Sequence, residues 1–182
     1  MTTLGVISDT HVPDRAEKLD PRVLSIFRQA GVNAILHAGD VARPDVLEEL
    51  AQVAPVYAVR GNRDWVWLSR LPLKRRLEFD GVLVGMAHGH GRWWNYVLDR
   101  ARVMFLGFRL RYFLPHVLKA FPDVKVIVFG HTHRPMNRWV NGQLLFNPGS
   151  AHFPDLHCKA PSIGLIRIAA GGQVQGEIVY LE

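Results

Sequence analysis

Leu4-Gly5-Val6-Ile7-Ser8-Asp9-Thr10-His11, Ala34-Ile35-Leu36-His37-Ala38-Gly39-Asp40 and Val56-Tyr57-Ala58-Val59-Arg60-Gly61-Asn62 decide the fold. Each is a short apolar run that gives way to polar residues, the mark of a buried strand. Two helical segments separate them. The first opens on Asp20-Pro21, an N-cap followed by a first-turn proline. It carries Val23, Leu24, Ile26 and Phe27 at roughly helical spacing and closes at Gly31. The second runs from Pro44 to Val53, with Val46, Leu47, Leu50 and Val53 on one stripe. Strand, helix, strand, helix, strand predicts parallel pairing with right-handed crossovers.

Further along, the pattern changes. Asp80-Gly81, Asn141-Gly142 and Gly171-Gly172 each separate two strand-like runs and read as hairpin turns. Val124 to Phe129 is another buried strand, ending at Gly130-His131. The second half is therefore expected to be mostly antiparallel. Residues 92–121 stand apart, because Trp93, Trp94, Tyr96 and many aliphatics interleave with Arg92, Arg100, Arg102, Arg109 and Arg111. They predict a helical insertion of two helices, with Pro115 in or near the second.

Composition narrows the function classes. The 182 residues fit a single domain spanning 1–182, and 48% hydrophobic against 21% charged residues allow a sizeable core. No apolar run approaches the ~18–20 residues of a membrane span, so no membrane partner is expected. The N-terminal residues do not read as a secretory signal, which places the chain in the cytoplasm. The single cysteine, Cys158, excludes an intrachain disulfide framework and a Cys-based zinc cluster. A net charge of +6 would suit nucleic acid. The basic residues are spread out and form no long stripe, so nucleic acid is the disfavoured partner.

Nine histidines are the more informative count. Asp9 and His11 follow the first strand, Asp40 the second and Asn62 the third. His88 and His90 follow another, and His131 and His133 the next. Ligands sit at the carboxyl ends of parallel strands. At spacing i, i+2 in extended chain, Asp9 and His11 would point to one side. Carboxylates with imidazoles suit a borderline divalent ion such as Mn, Fe, Co, Ni or Zn. Even seven of these eight groups exceed one four-coordinate site and suit two metals with a shared carboxylate. Asn and Asp also favour turns without any metal; it is their ordered recurrence at strand ends that weighs against that simpler account.

Six short motifs stand in order: Asp9-Thr10-His11, Gly39-Asp40, Gly61-Asn62-Arg63-Asp64, His88-Gly89-His90, Gly130-His131-Thr132-His133 and Asn147-Pro148-Gly149-Ser150. Together they resemble the calcineurin-like metallophosphoesterase superfamily. The likeness is greatest to its small bacterial and archaeal phosphodiesterase branch, which also contains the retromer subunit Vps29. The resemblance implies a four-layer α/β/β/α sandwich with mixed sheets. It implies two divalent ions, Mn above the alternatives Fe, Ni, Zn and Co. Asp9, His11 and His133 would hold one ion, Asn62, His88 and His131 the other, and Asp40 would bridge them. The implied activity is hydrolysis of a small phosphodiester by attack of a metal-bridging hydroxide.

One position departs from the pattern. Many members carry a histidine after the Gly-Asn pair, and here that residue is Arg63. An arginine stays protonated and makes a poor general acid, though it binds phosphate well. Asn62 can also donate to a phosphate oxygen, and His90 becomes the candidate proton donor. Asp64 is expected to orient a metal-site histidine. Asn147 to Ser150 are expected to support the site structurally. Arg92, Trp93 and Trp94 are candidates for the site rim. Residues 92–121 are equally a candidate homo-oligomer interface. The rival to an enzyme is a Vps29-like protein-interaction scaffold with a vestigial site. His37, His116, His152 and His157 carry no motif.

Overall fold

A computed structural model describes residues 1–89, 110–152, 158 and 160–181. The first sheet contains β1 (Thr2–Ile7), β2 (Ala34–His37), β3 (Val56–Ala58), β9 (Ser162–Ile168) and β10 (Val174–Tyr180), in the order β10-β9-β1-β2-β3. The second contains β4 (Lys74–Phe79), β5 (Val82–Ala87), β6 (Val126–Val128), β7 (Met136–Val140) and β8 (Gln143–Asn147), in the order β4-β5-β6-β8-β7. Helices α1 (Pro21–Gln29) and α2 (Pro44–Ala51) supply the crossovers of the parallel trio β1-β2-β3. Helix α3 (Leu110–Ala120) lies between β5 and β6 in the chain.

Alternation along the strands builds the layers. Leu4 and Val6 of β1, Ala34 and Leu36 of β2, Val126 and Val128 of β6, and Leu144 and Phe146 of β8 share one core between the sheets. The intervening residues face outward onto helices. Ile7 and Ile35 pack with Val23, Leu24 and Phe27 of α1 and with Val46 and Leu50 of α2. Ile127 and Leu145 pack with Val117 of α3 and with Phe121. Two sheets with helices on both outer faces give the four layers α/β/β/α. Burial of each such side chain contributes roughly 1.5–3 kcal/mol. A Cβ at Gly5 would lie 2.9 Å from the Phe27 ring, so the missing side chain lets α1 close onto β1.

Local signals set the boundaries. The Asp20 carboxylate accepts from the Arg22 amide at 2.9 Å, capping α1. Asp80 and Gly81 have φ of 48° and 76°, and Asn141 and Gly142 have φ of 49° and 80°. Positive φ at both central positions is the two-residue hairpin geometry that lets the strands twist together. The second half is mostly antiparallel, as expected, but its sheet adds a parallel centre. Its outer pairs β4–β5 and β7–β8 are antiparallel, but β5–β6 and β6–β8 are parallel. The three inner strands are thus a second parallel core, buried on both faces, which hairpin signals alone do not reveal. Of the expected insertion, the described part is the single helix α3 with Pro115 inside it. Residues 92–109, including the candidate rim and most of the candidate interface, lie outside the described residues. Among the described residues, no helix is long and apolar enough to cross a membrane.

Candidate metal centre

Two parallel trios, β1-β2-β3 and β5-β6-β8, end at one edge of the sandwich, and their C-terminal loops meet there. The His131 amide donates to Asp9 Oδ2 at 3.0 Å, and Ser150 Oγ donates to the Asp9 carbonyl at 2.7 Å. The His88 Nδ1–H donates to the Ala38 carbonyl at 2.7 Å. These bonds run from one sheet's loops to the other's. Asn147 Nδ2 donates to the Gly130 carbonyl and to Thr132 Oγ1, both at 3.0 Å, so the Asn-Pro-Gly-Ser turn braces the His131–His133 loop.

Each central carboxylate is half tied down and half presented. Ser8 Oγ and the His131 amide hold Asp9 Oδ2, at 2.6 and 3.0 Å. Asp9 Oδ1 faces His133 Nε2 at 3.3 Å, His11 Nε2 at 3.8 Å and His88 Nε2 at 3.9 Å. The Arg63 amide holds Asp40 Oδ1 at 2.7 Å. Asp40 Oδ2 faces His88 Nε2 at 3.4 Å and His11 Nε2 at 3.9 Å. Asn62 Oδ1 lies 3.1 Å from His88 Nε2 and 3.0 Å from His131 Nδ1. All seven predicted ligand residues therefore converge. Asp9, His11 and His133 form one group whose donor atoms could surround an ion; Asp9, Asp40 and His88 form a second. Asp9 belongs to both groups, whereas Asp40 belongs to the second and reaches the first only through His11 Nε2, 3.9 Å away.

The donors fit a cation. His11 Nε2 and His133 Nε2 face each other at 3.2 Å. Two ligands each about 2.1 Å from one ion are separated by roughly 3.0–3.4 Å, so these spacings are those of donors around a shared centre. Asp9 Oδ1 and His11 Nδ1 are buried with no hydrogen-bond partner among the described residues. Buried polar atoms are normally satisfied, and a cation would supply what Asp9 Oδ1 lacks.

The backbone is unusual where the donors sit. Asp9, His11, Asp40, His131 and His133 have φ of 53°, 51°, 53°, 68° and 56°. Left-handed conformations cost non-glycine residues of order 1–3 kcal/mol each, and they persist where the surroundings impose them. The expectation that Asp9 and His11 converge through extended spacing is thus corrected. They converge because both turn left-handed, their amides bonded to the carbonyls of Gly39 and Asp40.

Asp64 is a second correction. Among the described residues its carboxylate orients no histidine; it accepts the amides of Asp40, Ala42 and Gly61 at 3.0, 2.8 and 2.7 Å. It stitches the loop after β2 to the loop after β3 and so fixes the Asp40 backbone. Burial raises its pKa, against the lowering by the Ala42 and Gly61 amides. Arg63 holds Asp40 through its main chain, while its half-exposed guanidinium lies 3.9 Å from Asp14. His90 lies outside the described residues.

His37 is a buried neighbour of the site that sequence reasoning left unassigned. It is fully buried at the end of β2. Its Nδ1 accepts from the Gly39 amide at 3.2 Å, which leaves the proton on Nε2, 3.2 Å from Thr10 Oγ1. Burial lowers its pKa from 6.5 to about 3. The only signal in the sequence was a polar side chain closing an otherwise apolar strand.

His88 goes the other way. Burial would depress it, but the charge and hydrogen bond of Asp40, with the charge of Asp9, raise it from 6.5 to about 10. Burial would raise Asp40 and Asp9, yet the neighbouring histidines hold both below the usual carboxylate range. Stability of the metal-free protein is therefore expected to peak near pH 6.5. Below 6.5 the unfolded chain takes a proton that folded His37 refuses until about 3. Above 6.5 the unfolded chain loses the proton that folded His88 keeps until about 10. Each limb falls by about 1.4 kcal/mol per pH unit per group. Urea midpoints between pH 4 and 9 measure both slopes, and a flat profile would contradict the two assignments.

Residues 2–171 match the calcineurin-like phosphoesterase superfamily domain. The chain belongs to this superfamily. It is 37% identical over 97% of its length to a probable metallophosphoesterase of Methanothermobacter thermautotrophicus, of which the match covers 91%. It is 32% identical to the phosphodiesterase YfcE of Escherichia coli, over 73% of this chain and 72% of that one. A single-mutant Vps29 from Entamoeba histolytica superposes with a TM-score of 0.71 at 22% identity, covering 100% of both chains. That last likeness concerns the fold alone.

Proposed function

We propose that this metallophosphoesterase-family chain is a phosphodiesterase that works with two divalent ions. The observation that carries the reading is the pair of donor groups meeting at Asp9, with Asp40 and His88 in the second and Asn62 and His131 beside it. Asp9, His11 and His133 would hold one ion. Asn62, His88 and His131 would hold the other, with Asp40, and by its position Asp9 as well, shared between them. Mn is the proposed metal by the resemblance to the family; the ligand types themselves also admit Fe, Co, Ni and Zn. Bound ions would lower the pKa of a water and neutralise charge on the phosphate.

The protein's own groups supply the rest. Asn62 turns Oδ1 to the two imidazoles, so its amide nitrogen is the donor for a phosphate oxygen. The Arg63 side chain stands at the mouth as a permanent cation and can bind a phosphate oxygen. It cannot give up a proton to a leaving group. This favours diesters whose leaving group departs unaided, or proton donation from His90. Loading the site requires His88 to lose its proton, so metal affinity should rise with pH.

Restoring Mn, Ni, Zn or Mg singly to metal-stripped protein tests the reading, with bis(p-nitrophenyl) phosphate against p-nitrophenyl phosphate. Cleavage of the diester should return with Mn and exceed that of the monoester. Equal rates on both would sink the argument from Arg63. Folded protein inactive with every metal would shift the reading to the rival, a protein-interaction scaffold.

A further inference from the structure

Beside the donor cluster lies a cavity of about 810 Å³ that shares Asn62 and Arg63 with it. A volume of this order holds a group the size of a nucleoside. Trp65 and Trp67 line it, and they are 57% and 69% exposed. Two large indoles standing in water beside a catalytic cluster are not core residues. The Arg60 guanidinium lies 5.2 Å over the Trp65 ring and is itself anchored by donation to the Ser69 carbonyl at 2.6 Å. Trp65 is thereby held as a fixed platform.

The charges around the cavity narrow the ligand. Arg43 and Arg63 face Asp14, Asp45 and Glu48, an excess of one negative charge. Arg43 pairs with Asp45 at 3.1 Å, and Arg63 lies 3.9 Å from Asp14. A second phosphate would be repelled there. Hydroxyls and amino groups, which donate to carboxylates, would be accepted.

Resting on the phosphodiesterase reading, we propose that this cavity binds the nucleoside portion of a phosphodiester, its base stacked on Trp65 and Trp67 and its sugar hydroxyls or amino groups meeting the acidic rim. The substrate class is thus a diester with one phosphate and at least one nucleoside, not a polyphosphate. Stacking on one aromatic side chain changes affinity by roughly five- to 150-fold.

The test compares thymidine 5′-(p-nitrophenyl) phosphate with methyl p-nitrophenyl phosphate in Mn-loaded protein. Trp65→Ala and Trp67→Ala should each raise KM for the nucleoside ester about tenfold and leave the methyl ester within twofold. Independently of turnover, tryptophan fluorescence should be quenched saturably by thymidine 5′-monophosphate and not by methyl phosphate, with the affinity reduced in both variants. Saturable quenching without hydrolysis would keep the nucleoside site and remove the hydrolase reading. Hydrolysis of both esters with equal KM, unmoved by either substitution, would overturn the nucleoside site and keep the hydrolase. Loss of self-association in the variants, with no nucleotide effect, would assign the two tryptophans to an interface and likewise overturn the proposal.

Discussion

Asp40→Asn is expected to lower metal-dependent diester hydrolysis by more than about 100-fold, beyond the 10–100-fold cost typical of a group that only orients a ligand. The substitution keeps the shape of the side chain. Its oxygen can still accept from the Arg63 amide, as Asp40 Oδ1 does at 2.7 Å. What disappears is the charge that the proposed function shares between the two ions. The same change has a signature that needs no metal. Asp40 is the largest of the influences that hold His88 protonated against its burial, with Oδ2 at 3.4 Å from Nε2. An unpartnered buried charge costs about 3–5 kcal/mol. His88 escapes part of that cost by releasing its proton, because burial alone lowers its pKa. The alkaline fall in stability between pH 6.5 and about 10 should therefore flatten in the variant, while the acid limb to which buried His37 and His11 contribute stays. A variant with the wild-type alkaline slope would show that Asp40 does not govern His88. Wild-type activity would show that it does not serve the centre.

The contrast between those two histidines shows what the sequence could and could not reveal. His88 stands in a short motif, His-Gly-His, and motifs of polar residues after apolar strands are legible because strand ends converge in parallel sheets. Seven such residues were readable in this way, as were both helical crossovers and all three hairpin turns. His37 closes its strand like the others, but its role depends on which amide and which hydroxyl meet its two nitrogens. Those are set by loops folding back from Gly39 and Thr10, and no periodicity encodes them. The same is true of Asp64, whose three amide partners come from two loops. It is true also of Asp9 and His11, whose shared direction comes from left-handed backbone and not from extended alternation. The Trp65–Trp67 wall was invisible for another reason. Exposed tryptophans carry no pattern until the neighbouring loop shows which space they enclose.

Two glycine substitutions should disable the centre without touching a donor. A Cβ at Gly61 would be driven into Asp40, onto its Oδ1 and its amide nitrogen, and one at Gly130 into Ser8 Oγ with Asp9 Oδ2 only 2.7 Å away. The obstructing backbone atom cannot rotate aside. The carboxylates cannot shift without breaking the bonds from Arg63, Ser8 and His131 that aim them. Forcing an extra carbon into so tight a site costs about 1–3 kcal/mol. Displacement of a reacting group by about 1 Å costs on the order of 100-fold in rate. Gly61→Ala and Gly130→Ala should thus lose Mn affinity and hydrolysis by about two orders of magnitude, with a lowered urea midpoint. Gly142→Ala separates this effect from simple backbone strain. Its φ of +80° penalises any side chain, but nothing lies within 4 Å of the added carbon. It should lose roughly 1–2 kcal/mol of stability and bind Mn as the wild type does. Competition for Mn against a chelating dye, alongside urea unfolding, measures both quantities. Wild-type Mn affinity in Gly61→Ala would mean that the Asp40 loop yields freely, and that its tight bracing by Asp64 and Arg63 does not position the metal donors.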